Sequence, residues 1–481
     1  MVDDADGGEP QRGAAPTGPT QAGLRRSLIY FSTVAGGQAL SFLLLPFVTR
    51  ALEPEAYGAY ALALAVSTLV GMLASSWVRN VGLRLYFDAA TRGTTRGFFL
   101  GTALVQTAGF VVLYGGTLAG FALFGVELAS WRVLISAGFA MLFGDLAVHA
   151  TTLLRAEQRT AAFAVSEIGA GALRFVLTLA GLAAGIRSAE LLFDAQSAGY
   201  LIAAAFAVPV LWRRMEGPFR VDWRGTLEVV RHGPASLPFS VADWIERLAD
   251  RLVIEYFLGT AVVGVYSVGY SIGERTIGAL VKAVFMMAWP SILSAWKEGG
   301  TASARAAIRE AQGLYLWFAT GPVVFMIVYG AEFMRWITGS AYHEAAPLVG
   351  IVSASMWLGG FATYLNRHLE LAKRFGPLSA IRMAGALVNL GLNLVLVPRF
   401  GMIGAAWATL ANRLLNALVF WAIRDRELVE IPFGALAAAA ATSVAAWGAT
   451  AWLPVPALAK MGVFIALYTP TALFAMRRGR T

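Results

Sequence analysis

The chain has 481 residues, 58% hydrophobic and only 14% charged, with a mean hydropathy of +0.64. An ordinary soluble domain carries about 25% charged residues, so a soluble globular fold is excluded, and the absence of cysteine excludes thiolate metal sites, haem attachment and disulfides. The net charge of +9 comes mainly from arginines beside the ends of apolar runs, which marks membrane topology and not a nucleic-acid partner.

Residues 1–23 are Gly/Pro-rich and acidic with no apolar core, and read as a disordered cytoplasmic tail, not a cleavable signal. Fourteen apolar runs follow, each long enough for a hydrocarbon core of about 30 Å. They fall near 27–49, 57–82, 97–125, 129–154, 161–184, 190–212, 233–259, 262–290, 311–337, 344–371, 377–397, 401–423, 432–453 and 456–476. Gly and Pro mark the joints at EPEAYG (53–58), GPFR (217–220), FGP (375–377) and PRFG (398–401).

With the N-terminus inside, the Lys and Arg beside the span ends number roughly 21 on the inner side against 6 on the outer. That asymmetry supports fourteen spans with both ends cytoplasmic, and the excess of Arg over Lys, 34 to 4, points to a bacterial source and so to a plasma (inner) membrane. The outer loops are too short to house a catalytic domain. The longest connections, 213–231 and 294–310, are basic.

YGAYALALAV (57–66) follows the first span, and VGVYSVGYSI (263–272) follows the seventh. Gly58 and Tyr60 align with Gly264 and Tyr266, six spans apart, the internal repetition that transporters use for paired lobes. The fold class is therefore all-α and polytopic, about 14 transmembrane helices in two pseudo-symmetric six-helix lobes plus a C-terminal helix pair. The expected division is a tail over 1–23, an N-terminal lobe over 24–212, a basic linker over 213–231, a C-terminal lobe over 232–425, and two added helices with a basic end over 426–481.

LRRSLIYFSTVAGGQALSFLLLPFVTRALEPEAYGAYALALAV (24–66) resembles the opening of the bacterial oligosaccharide flippases. These polysaccharide-biosynthesis proteins belong to the multidrug/oligosaccharidyl-lipid/polysaccharide exporter superfamily. Arg84 in VGLRLYF, Asp250-Arg251 in LADRLVIEYFLGTAVVGVYS, and VNLGLNLVLVPRFGMIGAAWATLANRL (388–414) extend the resemblance over most of 24–425. It implies translocation of lipid-linked oligosaccharide, of the undecaprenyl-pyrophosphate type, for polysaccharide biosynthesis. It also implies partners among polysaccharide polymerases and glycosyltransferases, and a cavity lined by the first, second, seventh and eighth helices.

The seventh span is unusual in itself. VADWIERLADRLVIEYFLG (241–259) carries Asp243, Glu246, Arg247, Asp250, Arg251 and Glu255 over about half its circumference. At about 2.5–3.5 kcal/mol per central charge, that face must meet water, partner charges or another lobe. Three readings follow: a hydrated cavity, a permanent ion-pair network, or a helix on the cytoplasmic surface. Within the helix, Arg247 and Asp250 stand i, i+3 and are placed to pair.

The candidate substrate-binding residues are Arg84, Arg247, Arg251, Arg275, Lys282 and Arg174. Arg offers a bidentate fork for phosphate groups; Arg382 and Arg413 could do the same or neutralise a carboxylate. The ion-coupling candidates are Asp250, Glu246, Asp243, and the i, i+4 pair Asp145 and His149, with H+ or Na+ as the coupling ion. Gln38 and Ser41 could line the same cavity, and Asn389 and Asn393 suit interhelical hydrogen bonding.

No other cofactor, metal or nucleic-acid partner is expected. The alternatives are an ion-coupled multidrug exporter of the same superfamily or, from another class, a membrane polysaccharide polymerase or glycosyltransferase; otherwise the chain is a transporter and not an enzyme.

Overall fold

The computed structural model describes residues 21–478. Most of the expected tail, 1–20, lies outside the described residues, and the first helix begins at Gln21. The first span is Gln21–Leu43, continued by Leu45–Ala51 after a break ahead of Pro46. The next five are Pro54–Thr91, Thr95–Phe124, Trp131–Ala156, Thr160–Ala183 and Ala189–Trp212. The seventh covers 237–258. Thr260–Ile337 supplies the eighth and ninth, Ser340–Leu365 the tenth, and Phe375–Ile423 the eleventh and twelfth. Phe433–Ala451 and Ala457–Arg478 are the last two.

The two long helices are each two legs. The chain turns at Gly300 (φ 63°, ψ −150°) and Gly401 (φ 62°, ψ −150°), a backbone geometry open to glycine and strained for any side chain. Counted this way, the described residues form fourteen membrane-length helical legs. The structure corrects the connection expected over 294–310: apart from the turn at Gly300 it is helical. An apolar run marks only the part of a helix inside lipid, and these legs continue beyond it with polar residues.

The basic connection after the sixth span also folds. Asp222 caps a short helix, Trp223–His232, by accepting from the Gly225 amide at 3.1 Å. Thr94 and Arg92 donate to the same carboxylate at 2.9 and 3.3 Å. Partial burial raises the Asp222 pKa, but these donors outweigh it and hold the carboxyl below its ordinary value.

The repeated Gly-x-Tyr motifs bring the lobes together. A Cβ on Gly58 would lie 1.9 Å from the Thr260 carbonyl oxygen, and one on Gly264 would lie 1.9 Å from that of Pro54. Each glycine thus meets the carbonyl four residues before its counterpart, a local two-fold relation between the second and eighth spans. Close backbone approach of this kind requires glycine.

Around this crossing the Tyr342 hydroxyl donates to the Leu52 carbonyl at 3.0 Å, Arg50 Nη2 to the Trp336 carbonyl at 3.0 Å, and the Gly339 amide to Thr49 Oγ1 at 3.2 Å. One core here draws on both halves of the chain, including Leu62, Phe193, Tyr266 and Val352. Toward the opposite end the packing divides. One cluster (Val78, Phe98, Leu154, Leu211) belongs to the first half, and another (Ile308, Tyr315, Leu365, Phe420) to the second. The halves stay in touch there along the second and seventh spans, where Trp244 Nε1 donates to the Ala65 carbonyl at 3.0 Å. The last two spans pack on the ninth, with the Tyr468 hydroxyl donating to the Trp317 carbonyl at 2.6 Å.

Candidate functional site: two pockets and a charged seam

The second, seventh and eighth spans each contain one wide π-type turn, at Met72–Ser76, Ile245–Ala249 and Glu274–Gly278. Such turns insert an extra residue and re-aim the side chains beyond them. They carry Ser75, Glu246, Arg247 and Arg275, four of the polar groups at the centre of the bundle. No feature of the local sequence announces them.

The six charges of the seventh span separate into three environments. Glu246, Asp250 and Arg251 are buried. Glu246 accepts from Arg413 at 2.7 Å and from Asn412 and Asn416 at 3.2 Å each. Asp250 accepts from Arg251 at 2.8 Å and from the Tyr266 hydroxyl, while the Arg251 guanidinium lies 4.8 Å from the Tyr270 ring centre. Asp243 and Arg247 are about half exposed and 3.6 Å apart. Glu255, toward the far end, accepts from Thr260 at 2.8 Å.

The expected Arg247–Asp250 pair is thereby corrected. Arg247 lies within the π-type turn and Asp250 directly after it; Arg247 pairs one turn back with Asp243, and Asp250 takes its neighbour Arg251.

Three recesses surround this seam. The first, about 370 Å³, lies between the second and seventh spans and is lined by Thr68, Ser76, Asn80, Phe239, Asp243 and Arg247 among others. The second, about 280 Å³, belongs to the first half: Gln38 and Ser41 meet Glu167, Arg174, Gln196 and Tyr200. The third, about 260 Å³, belongs to the second half and is lined by Lys282, Arg382 and Arg413 with Phe285, Thr363 and Tyr364.

The structure brings Arg247, Lys282 and Arg174 to three different recesses. Arg251 is enclosed in its ion pair. Arg275 bonds the Ser41 carbonyl, joining the eighth span to the first. Arg84 is exposed on the second span.

Asp145 and His149 are buried without bonding each other. Asp145 is held by Arg79 at 2.6 Å and by Ser75; His149 Nε2 is 3.1 Å from Thr102 Oγ1, and its ring stacks on Phe99. Asn393 bonds Asn389 within its own helix, so the interhelical role expected of these two falls instead to Asn412 and Asn416. An available signal was missed: Asn412, Arg413 and Asn416 form a polar stripe at helical spacing, which in a membrane span demands a partner.

Over residues 47–347 the chain matches the family model described as polysaccharide biosynthesis protein. The chain belongs to that family. It is 27% identical over 243 residues to the probable multidrug resistance protein NorM of Caulobacter vibrioides, a match covering 47% of this chain and 49% of the relative. It therefore spans about half of that relative's length. It is 22% identical over 411 residues to the probable low-salt glycan biosynthesis flippase Agl15 of Haloferax volcanii, covering 82% of each chain.

Among solved structures, lipid II flippase MurJ in an inward closed conformation superposes with a TM-score of 0.73 at 13% identity, covering 95% of this chain and all of that one. An inward-facing MATE multidrug transporter gives 0.61 at 14% identity, covering 80% and 93%. These superpositions establish a shared fold.

Proposed function

We propose that this multi-pass membrane protein is a flippase that carries lipid-linked oligosaccharide, of the undecaprenyl-pyrophosphate type, across a bacterial inner membrane by alternating access. The observation that carries this reading is the division of the hydrophobic core. One core joins both lobes at the Gly58–Gly264 crossing, and separate cores lie in each lobe toward the other end. A bundle built this way can part at one end while the other stays shut, which is what alternating access requires.

The excess of Lys and Arg at the divided end supports a cytoplasmic position for it, with the N- and C-termini on the same side. The lobes are 24–212 and 232–425, joined through 213–231. Coupling to H+ or Na+ would act at a buried carboxylate, with Asp145, Glu246 and Asp250 the foremost candidates, each held by an arginine that proton or cation binding would release. Polymerase and glycosyltransferases would act on the same lipid-linked glycan before and after it crosses.

The relative named as a multidrug resistance protein keeps drug export as the second reading. The recess lined by Lys282, Arg382 and Arg413 favours an anionic cargo over a cationic drug.

The test is reconstitution of the full chain in vesicles with a fluorescent lipid-linked oligosaccharide. The chain should expose that lipid to an outside-only quencher faster than protein-free vesicles do. Equal rates, together with drug hypersensitivity on deletion of the gene, would overturn the flippase reading in favour of export.

A further inference from the structure

We propose that the recess of the C-terminal lobe is the anion site of this transporter and that its ligand is a diphosphate group. The inference rests on the transport reading above and assigns the two halves of the cargo to different lobes. Three cations from three helices line the recess, Lys282 on the eighth span, Arg382 on the eleventh and Arg413 on the twelfth, and no carboxylate lines it.

Arg413 is already matched by Glu246. Lys282 and Arg382 have no ion-pair partner among the described residues. Glu370, whose field reaches Arg382, is bound by Arg367. Arg382 is held from behind, with its guanidinium 5.5 Å from the Phe239 ring centre and its Nε buried without a hydrogen-bond partner.

Lys282 is exposed and Arg382 partly buried, so both present uncompensated positive charge to the open recess, a field that draws an anion. A diphosphate supplies two or more negative charges in a compact volume, and Arg meets phosphate oxygens with a paired fork. The recess is about as large as that of the N-terminal lobe, so lining charge and not size separates the two. The N-terminal recess is the opposite in character. Arg174 and Glu167 both line it, amides and hydroxyls complete it, and its formal charge is zero, which suits sugar hydroxyls.

The experiment uses the full chain in nanodiscs and measures binding of radiolabelled inorganic pyrophosphate by equilibrium dialysis. Wild type should bind it. Lys282→Gln/Arg382→Gln should weaken binding by at least about tenfold, the loss expected when charge-assisted bonds are removed. Arg382→Lys, which keeps the charge, should retain part of the affinity, and Arg174→Gln should bind like wild type. Thermal unfolding of each variant checks the fold.

Competition by polyprenyl diphosphate but not by polyprenol would identify the ligand as a lipid headgroup. Its failure to compete would identify free diphosphate; either result supports the site. Absence of pyrophosphate binding, wild-type binding by the double variant, or an equal loss in Arg174→Gln would overturn it. Binding with the expected residue dependence but without movement of lipid-linked glycan would leave the site standing and remove the transport reading. Movement undiminished in the double variant would do the reverse.

Discussion

The first and seventh spans are counterparts in the repeat, yet their chemistry is opposed. Between Arg26 and Arg50 the first carries no charge, whereas the seventh carries six. Immediately after them, Gly58 and Gly264 do the same job in the same geometry. Pseudo-symmetry has been kept where backbones touch, because two helices crossing at carbonyl distance admit only glycine. It has been lost along the seventh span, where buried and half-exposed charges stand in place of the uncharged sequence of the first.

The largest expected effect breaks the symmetric part. Gly58→Val and Gly264→Val should each abolish transport, since a Cβ 1.9 Å from a backbone carbonyl oxygen cannot be relieved by a rotamer change and forces the two spans apart, beyond ordinary core overpacking. The cysteine-free sequence provides a clean readout. Cysteines introduced at Arg50 and Trp336 should be joined by a short bifunctional thiol reagent that spans the reach of the Arg50 side chain in the wild-type background, and lose that crosslink in both glycine variants. Retention in one variant but not the other would show that the crossing is not two-fold in its energetics.

Glu246→Ala comes next and sharpens the asymmetric part. It strands Arg413 in the interior, and breaking a buried pair from one side costs about 3–5 kcal/mol. Glu246→Ala/Arg413→Met should recover much of that loss. Asp145→Ala should cost less, because the Arg79 side chain is 21% exposed and can reach water, against 15% for Arg413. Thermal unfolding followed by size-exclusion chromatography gives the order, and equal losses would contradict it.

A smaller effect is expected at the junction between the lobes. Asp222→Ala removes the cap of Trp223–His232, worth about 0.5–2 kcal/mol, and should speed amide exchange at Gly225. The Asp222 pKa is lowered in the fold. Its contribution is therefore present above the unfolded value of about 3.9 and fades as pH falls through the folded value. The difference between wild type and variant should shrink on acidification below about pH 4, and persistence at lower pH would contradict the assignment.

The smallest effect belongs to Asp243→Asn. This half-exposed pair with Arg247 should contribute about 0–1 kcal/mol, within the scatter of the same unfolding assay. A large loss there would show that the cleft between the second and seventh spans closes around it.

Much of this architecture is legible in one dimension. A membrane imposes a fixed apolar length on each crossing, so fourteen runs separated by Gly, Pro and arginine translate directly into fourteen legs. The aligned Gly58 and Gly264 already marked the repeat. The site was legible only as a shortlist. Lys282, Arg174, Gln38 and Ser41 do line recesses, while Arg251 and Glu246 are enclosed in ion pairs. The π-type turn in the seventh span changes which charges meet, and an ideal helical wheel does not contain it.

Span count, repeat and family follow from the sequence by itself, because hydrophobic length and local motifs are properties of contiguous residues. Which charges neutralise one another, and which are left facing a recess, was decided by tertiary structure alone. Glu246 finds Arg413 across 167 residues, and Lys282 and Arg382 form no ion pair among the described residues. Coulombic pairing depends on distance in space and on exclusion of water, and neither is encoded in the order of residues along one helix.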